Sequence, residues 1–346
     1  MKAAYIESTG SPDVIRYGDL PTPTPKAGEA LIRIGAAALN PIDLYVRAGT
    51  VPMPLTFPFI PGSDLAGTVE AVGPPHPGVS PSRGDARVRG ATRFKAGDRV
   101  WASNQGLLGR QGVLAEYAAV HEDWLHPTPA GVSDVQAAAA ALVGITAHLG
   151  LFECAKLKPK EIAFVNGGTG GVGAMVVQMA KAIGAEVVTT VGSAEKAELC
   201  RTWGADAVFN YKTQDVDAGI RQYTQGKGVN VWYESQREPD FVRMVELMAP
   251  RGRIVVMAGR QARPVFPVGP FYVKGLSLHG FAMFNISAQE QRSCAEGINR
   301  WLAEGKLRPP IGRTFSLAEA AAAHRLLEEN TLQKAGTLVG KVMVVP

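Results

Sequence analysis

A glycine-rich segment, Asn166–Gly173, separates a short apolar run from a stretch with helical patterning. In a strand-turn-helix context, the spacing G-x-G-x-x-G allows a tight turn, a close approach of pyrophosphate to the backbone, and close packing of the helix on the sheet. The N–H groups at the start of the helix then face the phosphates. A lone glycine pattern is equally compatible with a flexible turn, but five more strand-helix repeats surround this one and favour dinucleotide binding. The residues concerned are Gly168, Gly170, Gly171, Val172 and Gly173.

The end of the next apolar run bears on which dinucleotide is bound. An acidic residue there would hydrogen-bond the ribose 2'-hydroxyl of NAD, but this sequence has Gly192, Ser193 and Lys196. A hydroxyl and an ammonium group suit a 2'-phosphate, so we predict NADPH. Glu195 opposes this prediction, although one helical step should turn it away. Ser193 could equally be a helix cap, and Lys196 could lie on a solvated helix face.

The order of the predicted strands and helices along the chain indicates an α/β protein. Up to about residue 126 the sequence is rich in Gly and Pro, with short alternating runs typical of a β-rich domain. From Pro127 to about residue 283, helical stretches alternate with six β-branched runs, which indicates a doubly wound parallel sheet. The six runs are 161–165, 186–191, 207–211, 229–233, 253–257 and 276–280.

Composition excludes several classes of protein. The 346 residues suffice for two domains, and 46% hydrophobic with 19% charged residues argues against disorder. The net charge of +5 is too small to predict a nucleic-acid surface, and no apolar stretch reaches membrane-spanning length. Cys154, Cys200 and Cys294 have no paired spacing, so we predict no disulfide or metal site and a cytoplasmic location. The basic, proline-rich segment 74–95 is predicted to be a surface insertion, with a patch for an anionic partner as the alternative.

Motifs that extend along almost the whole chain accompany the glycine turn. They are Met1–Tyr5, Leu39–Gly49, Pro61–Gly67, Phe94–Val100, Gly144–Ala147, Gly204–Asp206, Lys274–Phe281 and Gly340–Val342. Together these motifs resemble the medium-chain dehydrogenase/reductase superfamily, and within it they are most similar to the zinc-free quinone oxidoreductases that include zeta-crystallin. This resemblance implies a GroES-like catalytic domain from 1–127 and 284–346 and a Rossmann domain from 128–283.

The resemblance also implies site residues. Zinc-dependent relatives have cysteine and histidine at the positions of Asn40 and Ser63, so we expect no zinc here. In the zinc-free branch, the positions of Asn40 and Tyr45 lie beside the nicotinamide, where neutral donors could hydrogen-bond a substrate carbonyl. The alternatives are a turn-forming Asn40 and a packing Tyr45. The resemblance assigns Tyr211 to the 2'-phosphate, and Thr146, Gly259, Arg260 and Phe281 to the remaining cofactor contacts.

These observations predict an NADPH-dependent reductase that transfers hydride to a quinone or a conjugated enone, without a metal. An enoyl-thioester or 2-alkenal reductase is the alternative enzyme, and a non-catalytic NADPH-binding protein, possibly one that binds RNA, is the alternative from another class. In the predicted fold, the last strand of the Rossmann domain lies at the edge of its sheet, which favours a homodimer. The segment Tyr233–Arg237 departs from the Asp-x-Val-Gly-like pattern of the family.

Overall fold

The computed structural model describes residues 1–74 and 93–346, which form two compact units. Most of the basic insertion predicted at 74–95 lies outside the described residues, so neither interpretation of it is tested. The domain limits expected at 127 and 283 remain a prediction. Unit 1 is Met1–Leu142, Ser287–Ala295 and Ile311–Pro346, and unit 2 is Val143–Ile286 and Glu296–Pro310.

Unit 1 is built on a sheet of seven strands in the order β14-β15-β3-β4-β5-β7, with β6 also paired to β3. The first two strands pair separately with each other. Buried residues alternate with less buried ones along most of β3, because one face of the strand packs on the core and the other does not. The strands are β1 (Lys2–Tyr5), β2 (Arg16–Asp19), β3 (Glu29–Ala38), β4 (Asp64–Val72), β5 (Arg99–Ala102), β6 (Tyr117–His121), β7 (Leu125–Pro127), β14 (Ile311–Ser316) and β15 (Lys341–Val345).

Two helices of unit 1 matter for the site. Helix α1 (Pro41–Arg47) begins after the two residues that follow β3, and α9 (Ala320–Thr331) packs against it. The two helices are joined by an ion pair of 2.6 Å between the buried Arg47 and Glu328. The chain thus fixes α1 at both ends, by the strand before it and by α9.

Unit 2 is a six-stranded parallel sheet in the order β10-β9-β8-β11-β12-β13. This confirms the predicted doubly wound sheet. The order reverses between β8 and β11, and in such sheets ligands bind at the carboxyl ends of the strands next to that reversal. The strands are β8 (Ile162–Asn166), β9 (Glu186–Val191), β10 (Ala207–Asn210), β11 (Val229–Glu234), β12 (Met248–Val256) and β13 (Ser277–Gly280).

The crossover helices of unit 2 start where the sequence supplies capping groups. The side chains of Ser193, Asp215 and Asp240 each accept a hydrogen bond from a backbone N–H in the first turn of the helix that follows. These caps define the loops at the carboxyl edge of the sheet. The helices are α3 (Gly171–Ala182), α4 (Ala194–Thr202), α5 (Val216–Tyr223), α6 (Phe241–Leu247) and α7 (Val268–Val273).

Two longer helices run through the points where the units divide. Helix α2 (Asp134–His148) continues through a wider helical turn to Cys154, and α8 (Ala288–Ala303) precedes the last part of unit 1. Among the described residues, Asp134–Cys154 is the segment long and apolar enough to span a membrane, with a mean hydropathy of 1.6, but 72% of its apolar window is buried in the protein. Burial of this kind is typical of a core helix.

The start of β12 was predicted too late. The strand begins at Met248, which pairs with Val229, and not at Arg253 as the apolar pattern indicated. Arg251 has a φ of 60° and interrupts the run at a bulge, which hides the first residues of the strand from a pattern search.

Candidate active site

The glycine turn lies between β8 and α3, as predicted. Its first glycine in the left-handed region is Gly167, with a φ of 89°, one residue before the predicted motif begins. The Gly167 N–H donates to Thr190 Oγ1 over 3.0 Å, and the Gly168 N–H donates to the Thr190 carbonyl oxygen over 3.1 Å. Strand β9 therefore holds the turn against the sheet.

The glycines of the motif differ in how much space surrounds the position of a Cβ atom. A Cβ on Gly173 would lie 2.1 Å from the Gly167 carbonyl oxygen, and one on Gly168 would lie 2.3 Å from Thr189 Oγ1. A Cβ on Gly170 would meet only the Gly167 carbonyl oxygen, at an ordinary 3.5 Å. The packing of the turn therefore leaves no room for a side chain at Gly168 or Gly173, whereas the space beside Gly170 is left open for a ligand.

The start of α3 provides unpaired donors. The first backbone bond inside this helix runs from the Ala174 N–H to the Gly170 carbonyl oxygen, 2.9 Å away. The N–H groups of Gly171, Val172 and Gly173 precede that bond and have no acceptor within the helix. Together with the open space at Gly170, they form a cradle that fits a pyrophosphate.

Polar residues behind the turn were missed by the sequence analysis. Glu234, at the end of β11, is buried and accepts from Asn166 Nδ2 with both carboxylate oxygens, at 3.1 and 3.0 Å. The Asn166 side-chain oxygen accepts from the Thr190 hydroxyl over 2.9 Å. Burial raises the pKa of Glu234, and these hydrogen bonds partly oppose the rise. A carboxylate at the end of a buried strand beside a glycine turn was the available signal.

The start of α4 brings together Ser193, Glu195 and Lys196. Ser193 Oγ caps the helix by accepting from the Lys196 N–H over 3.3 Å, which agrees with the alternative reading of Ser193. The expectation that Glu195 turns away stays a prediction. Its own backbone N–H and the Ser193 hydroxyl lower the pKa of the Glu195 carboxyl group.

Tyr211 lies over Gly192. The residue follows β10, and a Cβ on Gly192 would lie 2.6 Å from its hydroxyl oxygen. The ring is 59% exposed, so it is not a core aromatic. The structure therefore gathers Gly192, Ser193 and Tyr211, which the sequence analysis assigned to one end of the dinucleotide.

The remaining predicted cofactor residues also lie in unit 2. Gly259 and Arg260 follow β12, Phe281 follows β13, and the buried Thr146 lies in α2, where its carbonyl oxygen accepts from the Tyr233 hydroxyl over 2.8 Å. Gly259 has a φ of 86° and approaches the Arg237 carbonyl oxygen so closely that a Cβ would lie 2.7 Å from it. The loops after β11 and β12 are thus packed together.

Asn40 belongs to a fully buried group in unit 1, which we call the buried polar cluster. Its side-chain N–H groups have three acceptors: Asp64 Oδ2 at 2.8 Å, Ser63 Oγ at 3.0 Å and the Ala38 carbonyl oxygen at 3.3 Å. Its side-chain oxygen accepts from the Lys341 ammonium group. The cluster consists of Asn40, Asp43, Ser63, Asp64, Ser103 and Lys341.

Asp43 and the predicted Tyr45 lie on α1. Asp43 caps the helix, because its Oδ2 accepts from the Asn40 N–H over 2.8 Å. Burial and the nearby Asp64 carboxylate raise the pKa of Asp43 to about 7. Tyr45 is half-buried, and its role in catalysis remains a prediction.

A zinc ion does not suit the positions that hold it in zinc-dependent relatives. Asn40 and Ser63 supply an amide and a hydroxyl that are hydrogen-bonded to each other, not thiolate and imidazole ligands. Among residues 1–74 and 93–346, no group of three or more His, Cys, Asp or Glu side chains could hold a metal ion. The side chains at this place therefore do not fit a metal ion.

The contrast between Gly170 and Gly173 makes a testable prediction. We expect Gly173→Ala to lower the free energy of unfolding by about 1 to 3 kcal/mol, because the added methyl group would overlap the turn. We expect Gly170→Ala to leave stability within about 0.5 kcal/mol of the wild type but to weaken NADPH and NADH binding at least about tenfold. Urea denaturation and fluorescence titration measure the two effects. Wild-type cofactor affinity in Gly170→Ala would contradict the assignment of the cradle.

Comparison with known proteins agrees with this geometry. Residues 26–130 match the family model of the alcohol dehydrogenase GroES-like domain, and residues 171–300 match that of the zinc-binding dehydrogenases. The chain is 31% identical to the quinone oxidoreductase of Sus scrofa over 94% of this chain and 93% of the relative.

Two solved structures are similar over their whole length. An NAD-dependent alcohol dehydrogenase has a TM-score of 0.85 and 30% identity, with 100% of both chains covered. The quinone oxidoreductase of Escherichia coli in complex with NADPH has a TM-score of 0.83 and 26% identity, again with 100% of both chains covered. With its GroES-like and Rossmann domains, its dinucleotide cradle and these relatives, the chain is an oxidoreductase of the medium-chain dehydrogenase/reductase superfamily and belongs to its quinone oxidoreductase branch.

Proposed function

We propose that this enzyme is an NADPH-dependent reductase that transfers hydride to a quinone or a conjugated enone without using a metal. The observation that carries the proposal is the carboxyl edge of the unit 2 sheet. There the glycine cradle and the group Gly192, Ser193 and Tyr211 follow neighbouring parallel strands. The cradle suits the pyrophosphate, and the second group suits the adenosine end.

NADPH is preferred over NADH in this proposal because no carboxylate follows β9 at Gly192, and because Lys196 offers a positive charge. Support also comes from the NADPH complex of the Escherichia coli relative. The Ser193 hydroxyl is among the groups that lower the pKa of Glu195, so we place a negative charge near this serine that acts against a 2'-phosphate. Glu195 therefore limits the preference for NADPH.

Two substitutions test this balance of charges. Lys196→Ala should raise the KM for NADPH by roughly tenfold to a hundredfold, because a charge-assisted bond to phosphate is lost, and should leave the KM for NADH almost unchanged. Glu195→Gln should lower the KM for NADPH, because repulsion of the phosphate is removed. The exposed Lys227→Ala serves as the control for a lost surface charge. Equal effects of Lys196→Ala on both cofactors would refute the phosphate contact.

The substrate that accepts the hydride needs only neutral hydrogen-bond donors around its oxygen. Quinones and enones delocalise the incoming negative charge by conjugation, so they react without a strong Lewis acid. When bound, NADPH would supply the hydride and leave as NADP+, and the Tyr45 hydroxyl would donate a hydrogen bond to the acceptor oxygen as charge develops on it. Support for Tyr45 comes from the family pattern and from its incomplete burial.

For Asn40 we propose an indirect role in the reaction. Its side-chain N–H groups already have three acceptors within the buried polar cluster, so a substrate oxygen would have to displace one of them. Asn40 also precedes α1, the helix that carries Tyr45. It therefore contributes by fixing the start of that helix.

Tyr45→Phe tests the donor. The substitution keeps the ring and removes the hydroxyl, so kcat should fall by about 10-fold to 1000-fold while NADPH affinity stays near the wild-type value. Steady-state rates are compared for a quinone and an enone. A loss with the enone alone means that the quinone reaction needs only proximity to the nicotinamide. Unchanged rates with both acceptors would remove Tyr45 from the mechanism.

A panel of quinones, enones, 2-alkenals and enoyl thioesters, each with NADPH and with NADH, tests the proposed function itself. We expect turnover of quinones or enones with NADPH, unchanged by exhaustive chelation. The Gly170→Ala variant serves as the control with weakened cofactor binding. Preference for thioesters or alkenals selects the alternative enzyme, and intact NADPH binding without any turnover selects a binding protein.

We also propose that the enzyme is a homodimer. Strand β13 is the outer strand of the unit 2 sheet, and its Leu278 is 41% exposed. Helix α7, just before it, leaves Val268, Tyr272 and Val273 between 62% and 74% exposed. An unpaired apolar strand edge can pair with its own copy about a two-fold axis. Light scattering at micromolar concentration should give the dimer mass, and Leu278→Lys should give the monomer mass. A monomeric wild type would contradict the proposal.

A further inference from the structure

Lys341 is a buried lysine with partners on every side. It lies at the start of β15 and is only 4% exposed. Its ammonium group donates to the Leu39 carbonyl oxygen over 2.8 Å and to the Asn40 side-chain oxygen, and lies 3.8 Å from Asp64 Oδ2. These acceptors come from the end of β3, the start of α1 and the start of β4. One amino group therefore connects four elements of unit 1.

The charges around Lys341 do not balance if every group is ionised. Asp43 from α1 and Asp64 from β4 face one ammonium group from β15, and Ser63 and Ser103 add only hydroxyls. Asp64 also accepts from the Ser103 hydroxyl over 2.6 Å and from the Leu142 N–H over 3.2 Å. Burial raises the pKa of both carboxyl groups and lowers that of Lys341, while their mutual attraction opposes each shift. Without the ammonium group, two carboxyl groups would share a dry site without compensation.

The same group determines the geometry of Asn40. The Asn40 oxygen is held by Lys341, so its N–H groups are turned towards Asp64 and Ser63. The Asn40 backbone N–H is in turn held by Asp43. Residue 40 is therefore fixed by both its side chain and its backbone, directly before Pro41 begins α1. The direction of this seven-residue helix depends on that start, because short helices gain little from their own hydrogen bonds.

We propose that Lys341 is a positioning residue of the reductase: its buried ammonium group orients Asn40 and thereby fixes the start of α1, which carries Tyr45. The proposal rests on the proposed function for the part that concerns Tyr45. It assigns a task in the reductase to the last strand of the chain, which the sequence analysis used only as a family motif. Lys341 acts through Asn40 and touches no reacting atom.

The test uses three variants of the full chain and one control. Lys341→Met keeps the length and removes the charge, and Asp64→Asn removes the facing carboxylate. Lys341→Met/Asp64→Asn removes both charges and keeps the fold measurable if the single variant is too unstable. The control is Lys306→Met, an exposed lysine that pairs only with Glu304 in the described part of the chain.

Stability and activity should separate in the double variant. Lys341→Met should lower Tm by about 10 °C, because it leaves a buried charge uncompensated. The double variant should recover at least half of this loss. Its kcat should still be about tenfold or more below the wild type, because Asn40 has lost its donor, and its KM for NADPH should stay unchanged. Recovery of kcat together with Tm would show a merely structural role and overturn the proposal.

Hydrogen exchange separates this proposal from the proposed function. In the double variant, the backbone amides of the peptide that covers residues 39–48 should exchange faster than in the wild type, while peptides of unit 2 do not change. This readout needs no substrate, so it stands even if the wild type reduces no quinone. Unchanged exchange in that peptide would overturn the positioning role of Lys341, whatever the activity.

Discussion

The structure of unit 2 depends on a close approach between two backbone segments, the glycine turn and the first turn of α3. The helix α3 starts so near the glycine turn that no side-chain atom fits between Gly173 and the Gly167 carbonyl oxygen. This approach directs the free N–H groups of the first helical turn to the carboxyl edge of the sheet. Thr190, Asn166 and Glu234 then hold the turn from behind. The cofactor edge is thus formed by backbone geometry before any side chain selects a ligand.

Unit 1 is organised by a different kind of interaction. Its helix α1 is anchored by buried charges and not by close backbone contact. Lys341, Asp43 and Asp64 are expensive to bury singly, but their hydrogen bonds to Asn40, Ser63 and Ser103 satisfy them as a group. Where zinc-dependent relatives have metal ligands at positions 40 and 63, this chain has a hydrogen-bonded amide and hydroxyl. Rigidity at that place is supplied by the fold itself.

The sequence was sufficient for the features that repeat locally. Six β-branched runs and their helices predicted the parallel sheet, and the spacing of Gly168, Gly170 and Gly173 predicted the cradle. The pattern could not show contacts between distant segments. Glu234 meets Asn166 across 68 positions, and Lys341 meets Asn40 across 301. Such contacts depend on the folded register, which local patterns do not contain.

The central claim is that this fold transfers hydride directly from a bound dihydronicotinamide to a conjugated acceptor. A single-turnover measurement tests it most directly. Protein treated with chelator is loaded with NADPH that carries deuterium at either the 4R or the 4S position, mixed with a quinone or an enone, and followed by the loss of cofactor absorbance. The account predicts oxidation of bound NADPH that is slowed by one of the two labels only. Bound NADPH that no acceptor oxidises, or oxidation that occurs only after a metal ion is added back, would contradict it.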